Sequence, residues 1–426
     1  MANNRRKRTE GKAALEAVGQ QKSFPLEVML DVRATFLELM AEGGKAIAAA
    51  LFKEDLDRVC GERYARKGGD GRLAQRWGQQ QGQVVLGGRK VSLLRPRARR
   101  GGEEVELPSY QRLQQEDPLN DRALEQMLIG VSTRNYRRSL EPLKEFPESA
   151  VDKSSVSRRF ILKTKEQLAT VLKKPLGDIR WAGLYIDGIT FAEHVVIVVL
   201  GADESGKKHL LGLREGSTEN ATLCKELLAD LVARGLPVDR ALLCVIDGGK
   251  GLRKAIREVF AQYEVVQRCQ VHKKRNVLDQ LPESKRSQVN LAMSQAYDAE
   301  SYETALAQLK NLARVLAKEH PGAAESLREG LEETLTVKRL GLKGALEKSF
   351  RTTNPIENLN EGIRRISRRV KRWRDGGMVL RWAGAAALEA ESRFRRLKGH
   401  RSMPSLLAAL RNHDHQLKND SVRRIA

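Results

Sequence analysis

Hydrophobic residues fall in short unbroken runs through the middle of the chain and at helical intervals on either side of it. Trp181 to Ile186 and Ala241 to Ile246 are apolar at nearly every position, the pattern of strands covered on both faces. Each run ends abruptly in a carboxylate and glycine, Asp187-Gly188 and Asp247-Gly248-Gly249. After the first come Val195 to Leu200 and Lys208 to Leu213, joined by the polar turn Asp203-Glu204-Ser205-Gly206, which predicts a meander of three strands. Leu223, Leu227, Leu228 and Leu231 then recur at helical spacing within Glu219 to Arg234, and Gly235 stops that helix. The strand ending at Asp247, a helix from Gly249 to Phe260 and a strand from Tyr263 to Cys269 complete an α/β pattern over residues 178–270.

Residues 271–347 are long, charged and helical in rhythm, with Leu306, Leu309, Leu312, Val315 and Leu316 as apolar positions and no strand pattern. This all-helical block ends before Arg351-Thr352-Thr353-Asn354-Pro355-Ile356-Glu357, where Thr353 or Asn354 caps a helix, Pro355 enters its first turn and Glu357 lies inside that turn. Ile356, Leu359, Ile363 and Ile366 give this helix an apolar stripe, while Arg364, Arg365, Arg368, Arg369, Lys371, Arg372 and Arg374 load the rest with positive charge. Residues 348–426 are assigned to the last part of the core, with further helices at the C-terminus.

The N-terminal region differs. Residues 1–22 form a basic, polar arm expected to be flexible. Over residues 23–175 the pattern is mainly helical: a helical pair between Phe24 and Arg63 parted by Gly43-Gly44, and a possible helix-turn-helix within 121–172. A glycine-punctuated stretch intervenes, with a β-hairpin near 84–94 turning at Leu86-Gly87-Gly88-Arg89.

Charge gives these elements a partner. The chain has 77 Lys and Arg against 54 Asp and Glu, a formal net charge of +23 spread along its 426 residues. That is the footprint of a polyanion binder. Arg95, Arg97 and Arg99 alternate after the hairpin and would face one side, laid on phosphates or simply charging a solvated edge. Arg158 and Arg159, beside the hydroxyls of Lys153-Ser154-Ser155-Val156-Ser157, have the composition of a recognition helix; a plain capped surface helix is the other reading. No apolar run approaches the roughly 20 residues that span a bilayer, so no membrane is expected, and no apolar signal core is visible at the N-terminus. Cys60, Cys224, Cys244 and Cys269 form no paired framework, which fits a reducing, cytoplasmic setting.

Carboxylates at the carboxyl ends of two buried strands need water, a donor or a cation, and two of one kind suggest a shared metal ion; taken singly, each Asp-Gly is also an ordinary turn. As a set, Tyr185 to Gly188, Val245 to Leu252, Arg268 to Asn276 and Arg351 to Asn360 resemble the Mutator-type family of bacterial insertion-sequence transposases, a resemblance running from about residue 65 to 410. It implies a ribonuclease-H-like DDE recombinase core, interrupted by the helical insertion at 271–347 and preceded by an N-terminal DNA-binding region. Asp187, Asp247 and Glu357 then take the roles of catalytic and metal-binding residues, holding two Mg²⁺ ions, or Mn²⁺ in their place, for cleavage and strand transfer of DNA. The substrates implied are double-stranded terminal repeats and target DNA, held by a homo-oligomer, a dimer on paired ends, associated with the nucleoid. A catalytically inactive DNA-binding protein of the same fold and a nuclease acting on RNA–DNA hybrids are the alternatives.

Cys269 and His272 make half a zinc site, with no second pair at suitable spacing; the resembling family carries the same two residues, which implies a part in shaping the active site. Lys273, Lys274 and Arg275, with Arg268 just before them, are expected either to line the DNA path or to form a solvated helix face. Trp373 is a candidate for stacking on an extruded base, whereas Trp382 is expected in the core.

Overall fold

Alternation along the strands decides the layering of the larger part of the molecule. The computed structural model describes residues 26–62, 73–115, 117–140 and 148–425, so the arm expected at 1–22 lies outside the described residues. The chain divides into two compact units, Met1–Lys163 and Thr164–Ala426, the division falling within one helix.

In the first unit, helix α1 (Leu26–Cys60) accompanies strands β1 (Gln75–Leu86), β2 (Arg89–Arg100) and β3 (Glu103–Val105), helices α2 (Pro108–Gln114) and α3 (Asp117–Ile129), and the short strand β4 (Glu148–Ser149). The expected helical pair is instead one helix that runs through Gly43-Gly44. Glycine weakens a helix by roughly 1 kcal/mol but keeps its N–H, so two of them need not break it. The hairpin turns at Gly87 and Gly88, both at positive φ (54° and 84°), and its strands run well beyond the apolar core seen in sequence. Ala48, Phe52, Val84, Leu107 and Tyr110 pack beneath it. Between α3 and the next helix, α4 (Lys153–Lys173), the chain makes a 3₁₀ turn at Arg137–Ser139 and the strand β4, which pairs with β2. That connection is not the three- or four-residue turn of a helix-turn-helix.

In the second unit, β5 (Trp181–Phe191), β6 (His194–Asp203) and β7 (Lys208–Gly216) form the expected meander. Helix α5 (Ala221–Ala233), β8 (Leu242–Ile246), α6 (Lys250–Phe260) and β9 (Glu264–Arg268) follow, giving a five-stranded sheet in the order β7-β6-β5-β8-β9. The β5-β8 and β8-β9 pairs are parallel. Leu184, Ile186, Leu242, Cys244 and Ile246 face α5 and α6, where Leu227, Leu231, Ile256 and Phe260 complete one core. Tyr185, Ile189, Leu243 and Val245 face the other way.

The helical block comprises α7 (Gln270–Asp279), α8 (Glu283–Tyr297), α9 (Tyr302–Glu319), α10 (Pro321–Arg328), α11 (Thr336–Arg339) and α12 (Gly344–Phe350). Much of it has a core of its own, with Val277, Met293, Tyr297, Leu309 and Leu327 at its centre. The chain then returns to the sheet as α13 (Asn354–Ser367), α14 (Gly376–Glu391) and α15 (Met403–Ile425). Ile356, Leu359 and Ile363 bury the predicted stripe of α13 in the second core of the sheet, alongside Tyr185 and Val245.

Candidate active site

The alternation that sends Tyr185 and Ile189 toward α13 sends Asp187 the same way. Contrary to the expectation from its run, β5 does not end at Asp187: the residue sits mid-strand, opposite Val198 of β6. What ends there is β8, whose pairing with β5 stops at Tyr185 and Val245. The carboxylate therefore stands where the sheet loses its neighbouring strand, and Asp247 follows the last residue of that strand. Gly248, at φ 110°, supplies the turn that leads into α6. Glu357 projects from the first turn of α13.

Each carboxylate is held by donors. Asp187 Oδ1 accepts the backbone N–H of Gly188 at 2.9 Å, and its Oδ2 accepts Asn360 Nδ2 at 2.9 Å. Asp247 Oδ1 accepts the N–H of Gly249 at 2.9 Å. Glu357 Oε1 accepts the hydroxyl of Thr353, which lies one turn earlier and caps α13 only through its backbone position. Thr353 Oγ1 is also 3.2 Å from the Cys269 sulfur and 3.3 Å from His272 Nδ1, and His272 Nδ1 is 3.8 Å from Glu357 Oε1. The Cys269, His272 and Glu357 donor atoms thus lie within 4.8 Å of one another. The structure gives the Cys-His pair a third neighbour that its spacing in sequence did not show.

Electrostatics marks the centre of the cluster. Burial, then the charge of Asp247, pushes the Asp187 carboxyl up to about 6, against the N–H of Gly188. Partial burial of the carboxylate itself, then Asp247 and Asp187, pushes Glu219 up to about 7, although the residue as a whole is exposed to solvent. Burial alone would raise the Cys269 thiol, but hydrogen bonds with His272 and Thr353 bring it below the usual range, and the same bond to Cys269 raises His272. No Lys or Arg among the described residues forms an ion pair with Asp187, Asp247 or Glu357, so the negative charge is left for something else to balance.

The expected polyanion contacts divide by burial. Arg159 is 9% exposed and donates to the carbonyl of Ala150; Lys273 is 4% exposed and its ammonium donates to the carbonyls of Ser326 and Glu329, both at 2.7 Å. Contrary to the expectation that they meet phosphate, both are turned inward with their charge spent on backbone oxygens. Arg268 pairs with Glu333 at 2.6 Å, and Lys274 donates to Ser294. Arg95 and Arg97 lie on one side as expected, but both bind Glu104, at 2.8 and 2.6 Å; Arg99 lies over Trp77. Arg158 and Arg275 are exposed, as are Arg364, Arg365, Arg368, Arg369 and Arg372. Helix α13 ends at Ser367, so Arg368 to Arg374 belong to the segment after it and not to its outer face. Trp373 packs edge-on against Phe191, and Trp382 is buried as expected.

Three residues of the cluster escaped the sequence reading. Asn360 carries a signal, since a polar residue three positions after Glu357 on the buried side of a helix needs a partner. Thr353 reads in the sequence only as a cap. Glu219 has a weaker signal: it precedes Asn220, the residue that caps α5, and resembles any acidic residue at a helix start.

Residues 26–396 match the model of a family described as Transposase, Mutator family. The chain is 28% identical over 404 residues, 94% of its own length and 96% of the relative's, to a transposase for insertion sequence element ISRM5 of Rhizobium meliloti. It is 29% identical over 282 residues to a transposase for IS406 of Burkholderia multivorans, covering 64% of this chain and 70% of that one. A transposase for IS1081 of Mycobacterium tuberculosis matches at 25% over 387 residues, 88% of this chain and 90% of the relative. With the family match extending over most of its length, the chain belongs to the Mutator family of transposases.

Proposed function

We propose that the protein binds the ends of an insertion sequence and catalyses divalent-metal-dependent DNA strand cleavage and strand transfer, with Asp187, Asp247 and Glu357 as the metal-binding trio. The observation that carries this reading is the convergence of three carboxylates from β5, the end of β8 and the start of α13, with no Lys or Arg ion pair among the described residues to neutralise them. A site of oxygen donors with excess negative charge suits Mg²⁺, with Mn²⁺ in its place. When bound, two such ions activate an attacking oxygen and stabilise the leaving oxygen of an in-line phosphodiester displacement.

The chain's own residues supply the frame for that chemistry. The N–H groups of Gly188 and Gly249 and the amide of Asn360 fix the aspartates. Thr353, backed by Cys269 and His272, fixes Glu357. The strand order, the long helical block between β9 and α13, and the glutamate on the returning helix support a ribonuclease-H-like core with an insertion. The exposed arginines after Glu357 serve as phosphate contacts, on terminal repeats and on target DNA, within a homo-oligomer that pairs two ends. The net charge of +23 and the absence, among the described residues, of any helix long and apolar enough to cross a membrane support a cytoplasmic, nucleoid-bound protein.

The test is Mg²⁺-dependent cleavage and strand transfer on a labelled duplex carrying the element's own end, with Asp187→Asn, Asp247→Asn and Glu357→Gln beside the wild type. Each neutral isostere should bind the duplex and fail to cut it. Variants that cut as well as wild type would remove the trio from the mechanism.

A further inference from the structure

Glu219 stands just before α5, in the loop that leaves β7, and no sequence motif placed it near the aspartates. The structure does. Its Oε2 lies 2.8 Å from where a Cβ on Gly188 would stand, and its Oε1 lies 3.0 Å from the corresponding point on Gly249. That second point is also 3.5 Å from Asp247 Oδ1. Gly188 and Gly249 are the neighbours of Asp187 and Asp247 whose N–H groups hold those aspartates. The carboxylate therefore occupies room that exists only because both positions lack side chains.

Nothing in its surroundings explains that placement as a structural bond. Among the described residues, Glu219 makes no side-chain hydrogen bond and no ion pair, and capping of α5 is done by Asn220, whose Oδ1 accepts the N–H of Leu223 at 2.9 Å. Its charged neighbours are Asp247 and Asp187. Three carboxylates turned toward one another without a cation cost stability, and a bound divalent cation is what converts that cost into affinity.

We infer that Glu219 is a fourth carboxylate of the active site, a ligand of the divalent cation that Asp247 and Asp187 hold, so that the acidic set is Asp187, Glu219, Asp247 and Glu357. This inference rests on the metal-dependent reading proposed above. It assigns the two outer carboxylates to different sides of the aspartate pair: Glu219 from the loop before α5, Glu357 from α13 beside Thr353 and His272. Glu219 acts as an oxygen donor and undergoes no net proton transfer.

The experiment uses the full chain and two readouts: calorimetric titration with Mn²⁺ in the absence of DNA, and cleavage of the end duplex. Glu219→Gln keeps size and shape, so folding is checked by its melting temperature in EDTA, which should equal or exceed the wild type's because one repelling charge is gone. Mn²⁺ affinity should fall about tenfold and cleavage about a hundredfold, with duplex binding in EDTA unchanged; Glu219→Asp should recover part of both losses. If Glu219→Gln binds Mn²⁺ like wild type while Asp187→Asn and Asp247→Asn do not, Glu219 is no ligand, and the proposed function stands without it. If neither aspartate variant alters Mn²⁺ binding, the cluster is not an ion site, and this inference falls together with the metal-dependent reading.

Discussion

One side-chain amide joins the N–H of Gly188 in orienting the central aspartate. Asn360 is 1% exposed, donates to Asp187 Oδ2, and leaves its own Oδ1 without a hydrogen-bond partner among the described residues. Asn360→Ala should cost about 1–3 kcal/mol, the loss expected when a buried carboxylate is deprived of its donor. Asn360→Asp should cost more at pH 8, because it sets a second carboxylate against Asp187, and the excess should shrink by pH 5 as protons are taken up. Urea melts of both variants at the two pH values measure this; equal stability at pH 8 would mean that the amide does not orient Asp187. The raised carboxyls themselves predict a slope. With Asp187 at about 6 and Glu219 at about 7, against roughly 4 for unfolded carboxyls, the ion-free folded state binds more protons than the unfolded state through that interval. The contribution of these two carboxyls to stability in EDTA should therefore fall as pH rises from about 4 to about 7, while His413, lowered by burial, contributes in the opposite direction. His272, raised by its bond to Cys269, contributes in the same direction as the two carboxyls, so the share due to Asp187 is read from the flattening of the slope in Asp187→Asn. A slope that is unchanged in that variant would show that Asp187 is ionised without cost.

At the level of elements, what was legible in the sequence followed from periodicity. Three strands, helix, strand, helix, strand is the order found, because apolar runs and the Gly235 stop are local signals. What failed was anything set by a neighbouring element. Asp187 looked like a strand end because the apolar run ends there, yet β6 holds β5 in register as far as Phe191, and only the parallel partner stops short. Gly43-Gly44 looked like a break in a stretch that continues as helix. The signals of Glu219 and Asn360 could not place them at the site, because the aspartates they face are on other elements, far away in sequence. One such long-range device fastens the helical block to the sheet. Glu333 takes Arg253 Nε at 2.7 Å and Arg268 Nε at 2.6 Å, while Arg253 also holds Glu264 of β9. Glu333→Ala should lower stability by about 2 kcal/mol, since Arg268 is buried and would retain only Glu329 at 3.5 Å. Glu332→Ala, next to it but exposed and 3.4 Å from Lys310, should change stability by less than about 1 kcal/mol. Denaturant unfolding of the pair discriminates a fastening from a surface charge; equal effects would refute it.

Over the whole molecule, the excess of positive charge says that a polyanion is bound but not by which residues, and burial separates the candidates. Lys273 and Arg159 looked as basic in sequence as any others, yet both are committed to backbone carbonyls. Arg364, Arg365, Arg368 and Arg372 are exposed and form no ion pair among the described residues. They lie on α13, the helix that carries Glu357, and just beyond it, and under the proposed function they are the phosphate contacts. Each phosphate neutralised releases counterions, and the logarithm of affinity falls with the logarithm of salt by about 0.9 per contact. Replacing all four by Gln should therefore make the salt slope for end-duplex binding shallower by roughly 3 to 4, weakening binding to specific and random duplexes alike. Lys273→Met should act on stability instead: it removes a buried ammonium that holds Ser326 and Glu329, lowering stability while leaving the salt slope at the wild-type value. Fluorescence anisotropy across a KCl series, run beside thermal melts, measures both. A slope that is unmoved by the fourfold change would place the phosphate contacts elsewhere on the protein. A slope reduced by Lys273→Met at full stability would show that its ammonium leaves the interior when DNA binds.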